Sequence, residues 1–299
     1  MNENFKVLIL LSTYNGDRFL REQLESILSQ TYKVDILVRD DSSSDSTVNI
    51  LSGYEVKHGI KWYQGKNLGP QNSFLNLVIN ASLKYDYFAF ADQDDIWDRD
   101  KIKNAIENLN NYNSNIPLLY CSSLNVVDSK MNHMFVRNFD IEGITSDLMQ
   151  SFYYQSWPQG CTMVFNNSLA SYLKLYQPKK FVSHDGWTHK LCLALAGSVV
   201  FDIRPQIFYR IHTNNVAGIK RAPLRKRIQR NIKKQCLFSE TAKEILIGYE
   251  KELSSDAKKS LFLVSYYKNS FENKRHILFR KYNHKYGVIH VLKFWLKVI

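Results

Sequence analysis

The sequence predicts an α/β fold in which helices flank a mostly parallel central sheet. Between Val7 and Leu109, short apolar segments alternate with segments whose apolar residues recur at helical spacing. Clusters of polar residues follow several of the apolar segments, and ligands of such sheets bind at the carboxyl ends of the strands. The two observations together predict a catalytic domain with its site along one edge of the sheet.

Each element follows from a local pattern. Strands are expected where three to five apolar residues cluster in a short segment, and helices where apolar residues recur every three or four positions. The predicted strands are Val7–Leu11, Asp35–Asp40, Ile60–Tyr63 and Phe88–Ala91. The predicted helices are Arg18–Gln30, Asp45–Leu51, Phe74–Leu83 and Lys101–Leu109. Strands separated by helices imply crossover connections and parallel pairing.

The acidic segment after the fourth strand is the strongest chemical signal. Asp92, Asp94 and Asp95 follow the apolar strand directly. Carboxylates this close repel one another, and a cation between them relieves the repulsion. Mg²⁺ and Mn²⁺ prefer oxygen ligands and retain positions for phosphate. The segment therefore predicts a metal-bound diphosphate site, with a solvated acidic turn as the alternative.

The charge distribution predicts two regions. Residues 1–218 contain 20 Lys/Arg and 22 Asp/Glu, whereas residues 219–299 contain 20 Lys/Arg and 6 Asp/Glu. The net charge of +12 therefore comes from the C-terminal part. This break predicts a catalytic domain over residues 1–218 and a basic, mostly helical region over residues 219–299.

Composition narrows the class of protein. A hydrophobic content of 44% and an aromatic content of 13% favour a packed globular chain over a disordered one. No apolar run approaches the roughly 18 residues of a membrane span, and the N-terminus lacks the pattern of a signal peptide. The cysteines are far apart and form no metal-type pair, which favours reduced thiols in a cytoplasmic protein. They are Cys121, Cys161, Cys192 and Cys236.

Several motifs occur in an order that resembles one known family. They are LSTYNG at 11–16, ILSQTY at 27–32, VRDDSSSDST at 38–47, KNLGPQNSF at 66–74, DQDDIW at 92–97, GCTMVFN at 160–166, HDGW at 184–187 and YRIHTNNVAG at 209–218. Together they resemble family-2 glycosyltransferases, and in particular the rhamnosyltransferase-like branch of bacterial polysaccharide synthesis. The resemblance covers about residues 5–218 and implies the GT-A fold, which is Rossmann-like.

The resemblance implies a nucleotide-sugar site on the first strand ends. Ser12 and Tyr14 match residues that contact the base, and Asp41 matches the carboxylate that accepts a hydrogen bond from a pyrimidine N–H. Helix capping is the alternative for Asp41. Asn67 and Gly69 match a loop on the donor side, where a glycine allows close backbone approach.

The resemblance also implies the groups that bind the metal and perform the transfer. Asp94 is expected to bind the cation directly, and Asp92 to bind the cation or donor hydroxyls. His212 is a candidate metal ligand, with a structural histidine as the alternative. Arg210 is expected either to neutralise phosphate or to pair with a carboxylate of the domain.

Asp185 is the expected catalytic base. The family's inverting displacement needs one carboxylate to take the proton of the acceptor hydroxyl. Capping of a helix at Trp187–Leu195 is the alternative role for Asp185. Trp187 is expected to stack on a sugar, although many relatives read His-Asp-Trp without the inserted glycine. Gly160 and Thr162 are expected on the acceptor side.

The basic region suggests two alternatives. Residues 221–235 place Leu224, Ile228 and Ile232 on one stripe among basic residues, and residues 287–299 mix apolar residues with Lys293 and Lys297. Such segments suit an anionic membrane surface, or they pack on the catalytic domain with a solvated basic face. No known nucleic-acid-binding motif occurs, so nucleic acid is not an expected partner.

The leading hypothesis is a metal-dependent, inverting glycosyltransferase using Mg²⁺ or Mn²⁺. Its donor is expected to be dTDP- or UDP-linked, with L-rhamnose from dTDP-rhamnose as the hypothesis. Its acceptor is expected to be a lipid-linked glycan at the inner face of the cell membrane, in capsule or cell-wall polysaccharide synthesis. The alternatives are a non-catalytic nucleotide-sugar-binding module and a phosphatase or nucleotidyltransferase.

Overall fold

The computed structural model describes residues 5–137, 147–153, 157–212 and 224–266, with only the backbone for residue 153 and residues 224–236. The strands are β1 (Val7–Thr13), β2 (Asp35–Asp40), β3 (Lys61–Gln64), β4 (Tyr87–Ala91), β5 (Ile96–Trp97), β6 (Leu118–Asp128), β7 (His133–Arg137), β8 (Val164–Asn166) and β9 (Ser198–Ile211). The helices are α1 (Leu20–Leu28), α2 (Thr47–His58), α3 (Pro70–Asn80), α4 (Lys101–Leu109), α5 (Leu148–Tyr153), α6 (Asn167–Leu175), α7 (His184–Ala194), α8 (Leu224–Tyr249) and α9 (Ser255–Tyr266). A 3-10 turn spans Gly160–Thr162.

The strands of the described ranges form one mixed sheet in the order β3-β2-β1-β4-β8-β6-β9-β5, with β7 paired to β6. The pairs among β3, β2, β1 and β4 are parallel, as is the pair β6 and β9. β8 is antiparallel to both of its neighbours. The α/β class and the flanked central sheet predicted from sequence are therefore confirmed, with antiparallel strands added beyond β4.

The register brings three predicted polar loops to the same edge of the sheet. Leu11 of β1 lies opposite Ala91 of β4, and Thr13 of β1 lies opposite Asp40 of β2. The carboxyl ends of β1, β2 and β4 are thus level. The backbone N–H of Asp41 donates to the carbonyl of Thr13 at 2.8 Å, which ties two of these loops together.

Both faces of the sheet are buried. Leu8 and Leu10 of β1 pack into one hydrophobic cluster with α3, α6 and α7. Ile9 and Leu11 pack into a second cluster with α1, α2 and α4. Successive side chains of a strand point to opposite faces, so a strand covered on both sides reads as a continuous apolar run.

The C-terminal helices pack on the catalytic part of the chain. Phe238, Ile245 and Tyr249 of α8 and Leu261 of α9 belong to the same cluster as α3, α6 and α7. The hydroxyl of Tyr249 donates to the carbonyl of Tyr172 at 2.8 Å. Residues 237–266 therefore show the packed arrangement that was one of the two alternatives for this region.

Other parts of the basic region are not described. The side chains of the predicted stripe, Leu224, Ile228 and Ile232, and the whole of 287–299 lie outside the described residues. The division of the chain at residue 218 stays a prediction. Among the helices that are described, none is both long and apolar enough to cross a membrane.

Candidate active site

The acidic segment lies where β4 ends and meets the far end of β9. β5 pairs antiparallel with β9, with Ile96 opposite Phe208. This pairing brings His212 to the acidic segment, and its Nε2 lies 2.7 Å from Oδ2 of Asp94. The two residues are 118 positions apart. Asp94 and His212 therefore form a carboxylate and imidazole pair, the oxygen and nitrogen ligand types that Mn²⁺ accepts.

Asp92 carries the signature of an uncompensated charge. Removal from water, together with the negative charges of Asp94 and Asp185, raises the pKa of the Asp92 carboxyl to about 7. Burial also raises the pKa of Asp95, whose Oδ2 has no hydrogen-bond partner among the described residues. Carboxylates in this state fit a cation, because an added positive charge favours their ionised forms.

A second group of candidate ligands lies at the acidic segment. Asp92, Asp95 and Cys161 place potential ligand atoms within 4.8 Å of one another. Burial raises the pKa of the Cys161 thiol well above its usual range, and Mg²⁺ and Mn²⁺ prefer carboxylate oxygen to sulfur. The two carboxylates are therefore the better candidates within this group, and binding of a cation by Asp94, His212 and Asp92 stays a prediction.

Arg210 holds the end of β9 against the acidic segment. Its backbone N–H donates to Oδ1 of Asp95 at 3.2 Å, and its Nε donates to the carbonyl of Asp94 at 3.0 Å. Its guanidinium is 2% exposed and pairs with Glu22 at 2.5 Å. It also lies 4.3 Å from the ring centroid of Phe19. The structure thus shows Arg210 paired with a carboxylate of the domain, which was one of its two expected roles, and neutralisation of phosphate by Arg210 stays a prediction.

Asp185 lies in the first turn of α7. Ser183 occupies the N-cap position of this helix, so the helix begins before the Trp187–Leu195 segment in which capping by Asp185 was the alternative. Oδ1 of Asp185 accepts hydrogen bonds from the Ser183 hydroxyl and, at 2.7 Å, from the backbone N–H of Gly186. None of the described residues donates to its Oδ2. One carboxylate oxygen is therefore fixed by the helix start, and the other remains available as a proton acceptor.

Trp187 does not face a ligand. Its side chain is fully buried, and its ring lies 6.3 Å from the rings of Phe181 and Tyr249 and 6.5 Å from that of Tyr176. The expectation that Trp187 stacks on a sugar is therefore wrong. Helix α7 begins at His184. Trp187, three residues later, points into the core, where its indole fills the space between α7 and α8.

Gly160 and Thr162 are also buried, beside the start of α7. The hydroxyl of Thr162 donates to the carbonyl of Gln159 at 2.7 Å. Gly160 faces the ring of His184, because a Cβ at position 160 would lie 2.3 Å from its Nε2. Gly160 therefore borders His184 at the start of α7, and an acceptor-side role for Gly160 and Thr162 stays a prediction.

The predicted nucleotide residues lie around the ends of β1 and β2 and in the loop before α3. Asp41 accepts hydrogen bonds from the backbone N–H groups of Leu68 and Gly69, both at 2.8 Å. Asn67 also accepts from Gly69, at 3.2 Å. Gly69 has a φ of 76°, which a glycine adopts without strain, and it immediately precedes Pro70 of α3. Asp41 therefore holds the loop before α3, and it does not cap α2.

Ser12 is the penultimate residue of β1, and Tyr14 directly follows this strand. The hydroxyls of Ser12 and Ser73 are 2.6 Å apart. Tyr14 is 49% exposed, and its backbone N–H and carbonyl bind the side-chain amide of Gln93 at 2.8 and 3.0 Å. Gln93 thus connects Tyr14, one of the two expected base-contacting residues, to the acidic segment.

Sequence reasoning missed several residues that hold this site together. They are Glu22, Arg39, Ser73, Gln93 and His184. The signal for Arg39 was present, because a charged residue inside an apolar strand needs a buried partner. Glu22, Ser73 and His184 gave no comparable signal, since each lies in an ordinary helical segment.

Comparisons with known proteins agree with this architecture. The family model "Glycosyl transferase family 2" matches residues 8–167. The chain is 31% identical over 231 residues to the dTDP-rhamnosyl transferase RfbG of Shigella flexneri, covering 70% of this chain and 73% of that protein. It is 30% identical to an uncharacterized glycosyltransferase of Rickettsia typhi, covering 71% of this chain and 66% of that protein, slightly under two thirds of its length.

Solved structures share the fold at low sequence identity. Staphylococcus aureus TarS residues 1–349, solved with UDP-GlcNAc, gives a TM-score of 0.61 at 18% identity, covering 98% of this chain and 82% of that one. The mannosyltransferase PcManGT of Pyrobaculum calidifontis, solved with GDP-Man and Mn²⁺, gives 0.54 at 15% identity, covering 99% and 79%. The fold is that of the GT-A glycosyltransferases, and this chain belongs to glycosyl transferase family 2.

Proposed function

We propose that this glycosyltransferase transfers L-rhamnose from dTDP-rhamnose, with inversion, to a lipid-linked glycan used for capsule or cell-wall polysaccharide. One observation carries the proposal. Asp94 and His212 are hydrogen-bonded at one edge of the sheet, and Asp92 there is close enough to Asp94 and Asp185 for their charges to raise its pKa. The similarity to a dTDP-rhamnosyl transferase supports the choice of donor.

The proposed reaction is a single displacement at the anomeric carbon. The acceptor oxygen forms a bond to that carbon while the bond to the diphosphate oxygen breaks, and the electron pair leaves with the nucleoside diphosphate. Oδ2 of Asp185, to which none of the described residues donates, takes the proton of the acceptor hydroxyl, and Oδ1 is held by Ser183 and Gly186. General-base assistance of this kind contributes about 10²–10⁴-fold.

A divalent cation, Mg²⁺ or Mn²⁺, would be held by Asp94 and His212, with Asp92 beside them. Such a cation stabilises the negative charge that develops on the leaving diphosphate. The chain's own residues prepare this site, because Arg210 fixes the backbone of Asp94 and Asp95 from the end of β9. The nucleotide lies in this proposal along Ser12, Tyr14, Asp41, Asn67 and Gly69.

The proposal also includes association with an anionic membrane surface. Ile247 of α8 and Phe262 of α9 are 70% and 54% exposed, and they line an apolar groove of ≈ 770 Å³ together with Lys258 and Lys259. Residues 267–299 add eight Lys/Arg against one Glu. Apolar side chains ringed by lysines suit the headgroup region of an anionic bilayer. This part is tested by co-sedimentation with phosphatidylglycerol vesicles. The wild-type protein is expected to sediment with the vesicles, and the double variant Phe262→Ser with Lys258→Glu is expected not to.

The catalytic proposal is tested by transfer from radiolabelled dTDP-rhamnose to a polyprenyl-diphosphate-linked sugar, with Mn²⁺ and with EDTA. Asp185→Asn is expected to lower kcat by about 10²–10⁴-fold and to leave Mn²⁺ binding intact. Asp94→Ala is expected to lose both transfer and Mn²⁺ binding. Asp256→Asn, at an exposed position of α9, is the matched control and is expected to retain full transfer. Full transfer by either active-site variant would contradict the assigned roles.

A further inference from the structure

Arg39 is a buried cation in the centre of the predicted base site. It lies on β2 and is 2% exposed. Its NH1 group donates to the carboxylate of Asp41 and, at 3.0 Å, to the hydroxyl of Ser73. Its Nε donates to Asn76 at 3.1 Å, and its NH2 group donates to the carbonyl of Lys66 at 2.8 Å. Four of its five N–H groups are therefore fixed by named partners.

The guanidinium of Arg39 holds the carboxylate of Asp41 in its ionised form, in which it can only accept hydrogen bonds. A buried carboxylate is costly without an opposite charge, and Arg39 supplies it. Oδ1 of Asp41 is occupied by Arg39 and the N–H of Leu68, whereas Oδ2 accepts only from Gly69 among the described residues. A carboxylate oxygen has two lone pairs. One acceptor position on Oδ2 is thus left for a ligand N–H.

The same guanidinium orients the hydroxyl of Ser12. Ser73 accepts from Arg39 at 3.0 Å, which leaves its own hydroxyl proton for donation to Ser12, its other described side-chain partner, at 2.6 Å. When Ser73 donates to Ser12, the hydroxyl of Ser12 can donate its own proton to a ligand. In this arrangement Arg39 holds Asp41 as an acceptor and favours Ser12 as a donor.

We propose that Arg39 is a positioning residue that sets this hydrogen-bond polarity, and that the base site thereby selects uracil or thymine over cytosine. Both selected bases present an N3–H donor beside a carbonyl acceptor, which matches Asp41 and Ser12. Cytosine presents an acceptor at N3 and an amino donor at C4, which opposes both. The inference rests on the proposed function, because it requires the nucleotide to lie at Asp41.

The test measures binding of dTDP, UDP and CDP to the full chain with Mn²⁺ by calorimetry. The wild-type protein is expected to bind dTDP and UDP about 10–100-fold more tightly than CDP, as expected for a hydrogen bond to a charged group. Arg39→Met keeps the apolar stem but removes the charge and the donors. It is expected to reduce the dTDP:CDP preference to within about 3-fold, through weaker dTDP binding.

Arg204→Met is the matched control, because Arg204 also pairs with a carboxylate two positions away, Asp202, but is 58% exposed. It is expected to retain the wild-type preference. A folded Arg39→Met protein that keeps the wild-type dTDP:CDP ratio would overturn the inference while leaving the proposed function intact. A wild-type protein that binds none of the three nucleotides, or binds them equally, would instead reject the proposed base site.

Ser73→Ala provides a second variant that does not remove the buried charge. It breaks the connection from Arg39 to Ser12, so the Ser12 hydroxyl becomes free to accept from the cytosine amino group. CDP binding is expected to strengthen relative to dTDP by about 3–10-fold. If Arg39→Met does not fold, an unchanged ratio in Ser73→Ala overturns the inference.

Discussion

An alanine at position 160 is expected to impair transfer far more than stability. The new Cβ would lie 2.3 Å from Nε2 of His184, whereas nonbonded carbon contacts are normally about 3.5–4.0 Å. The imidazole must therefore move by about 1 Å or more. It has little room, because it stacks on Phe74 with centroids 4.1 Å apart and meets Phe90 edge-on at 5.2 Å.

The displacement is expected to reach the catalytic carboxylate. His184 begins α7 and directly precedes Asp185, so a shift of its ring moves the first helical turn. A misplacement of 1 Å at a reacting group costs about 10²-fold in rate. The packing strain itself costs about 1–3 kcal/mol of folding free energy, or about 2–6 °C in Tm for a chain of this size.

The assay compares kcat for rhamnosyl transfer with Tm in Gly160→Ala and Gly248→Ala. The control introduces a similar clash, because a Cβ at position 248 would lie 2.5 Å from Cγ of Tyr176, on α8 and away from Asp185. We expect both proteins to lose a few degrees in Tm, about 2–6 °C, and only Gly160→Ala to lose about 10²-fold in kcat. A Gly160→Ala enzyme with normal kcat, or an equal loss in the control, would refute the reasoning.

Three further predictions follow from the site and the core. Trp187→Ala is expected to lower the free energy of unfolding by about 3–5 kcal/mol, measured by urea denaturation, while the folded fraction still binds dTDP; a small loss would mean that the indole is not a core residue. His212→Ala is expected to weaken Mn²⁺ binding by at least about 10-fold, measured by electron paramagnetic resonance, with exposed His133→Ala as the control; equal affinity in both variants would remove His212 from the metal site. The pKa of Asp92 is raised from 3.8 to about 7 in the folded protein, so the stabilisation from this group is present below pH 3.8 and is lost as pH rises through about 7. In EDTA, Tm is therefore expected to fall across this range less steeply in Asp92→Asn than in wild type, and parallel curves would show that Asp92 is not the responsible group.

The strands of the first half of the chain could be predicted from sequence because each is marked by a local pattern of residues. The strand predicted at Asp35–Asp40 coincides with β2, and that predicted at Phe88–Ala91 differs from β4 by one residue. Apolar runs bounded by polar residues mark strands that are buried on both faces. Antiparallel β8 is only three residues long, and β5 only two, so neither leaves a pattern that periodicity detects.

The chain by itself determined that Asp92, Asp94 and the loops after β1 and β2 share one edge, because parallel strands in a wound sheet end together. Only the tertiary structure decided the partners that come from far along the chain, such as His212 for Asp94 at 118 positions and Arg210 for Glu22 at 188 positions. It also decided that Trp187 lies in the core and that Arg39 lies beneath Asp41. The physical reason is that these contacts depend on the register of β9 against β5 and on how the helices pack. Register and helix packing are set by the burial of residues far apart in the chain, so the local spacing of residues does not predict them.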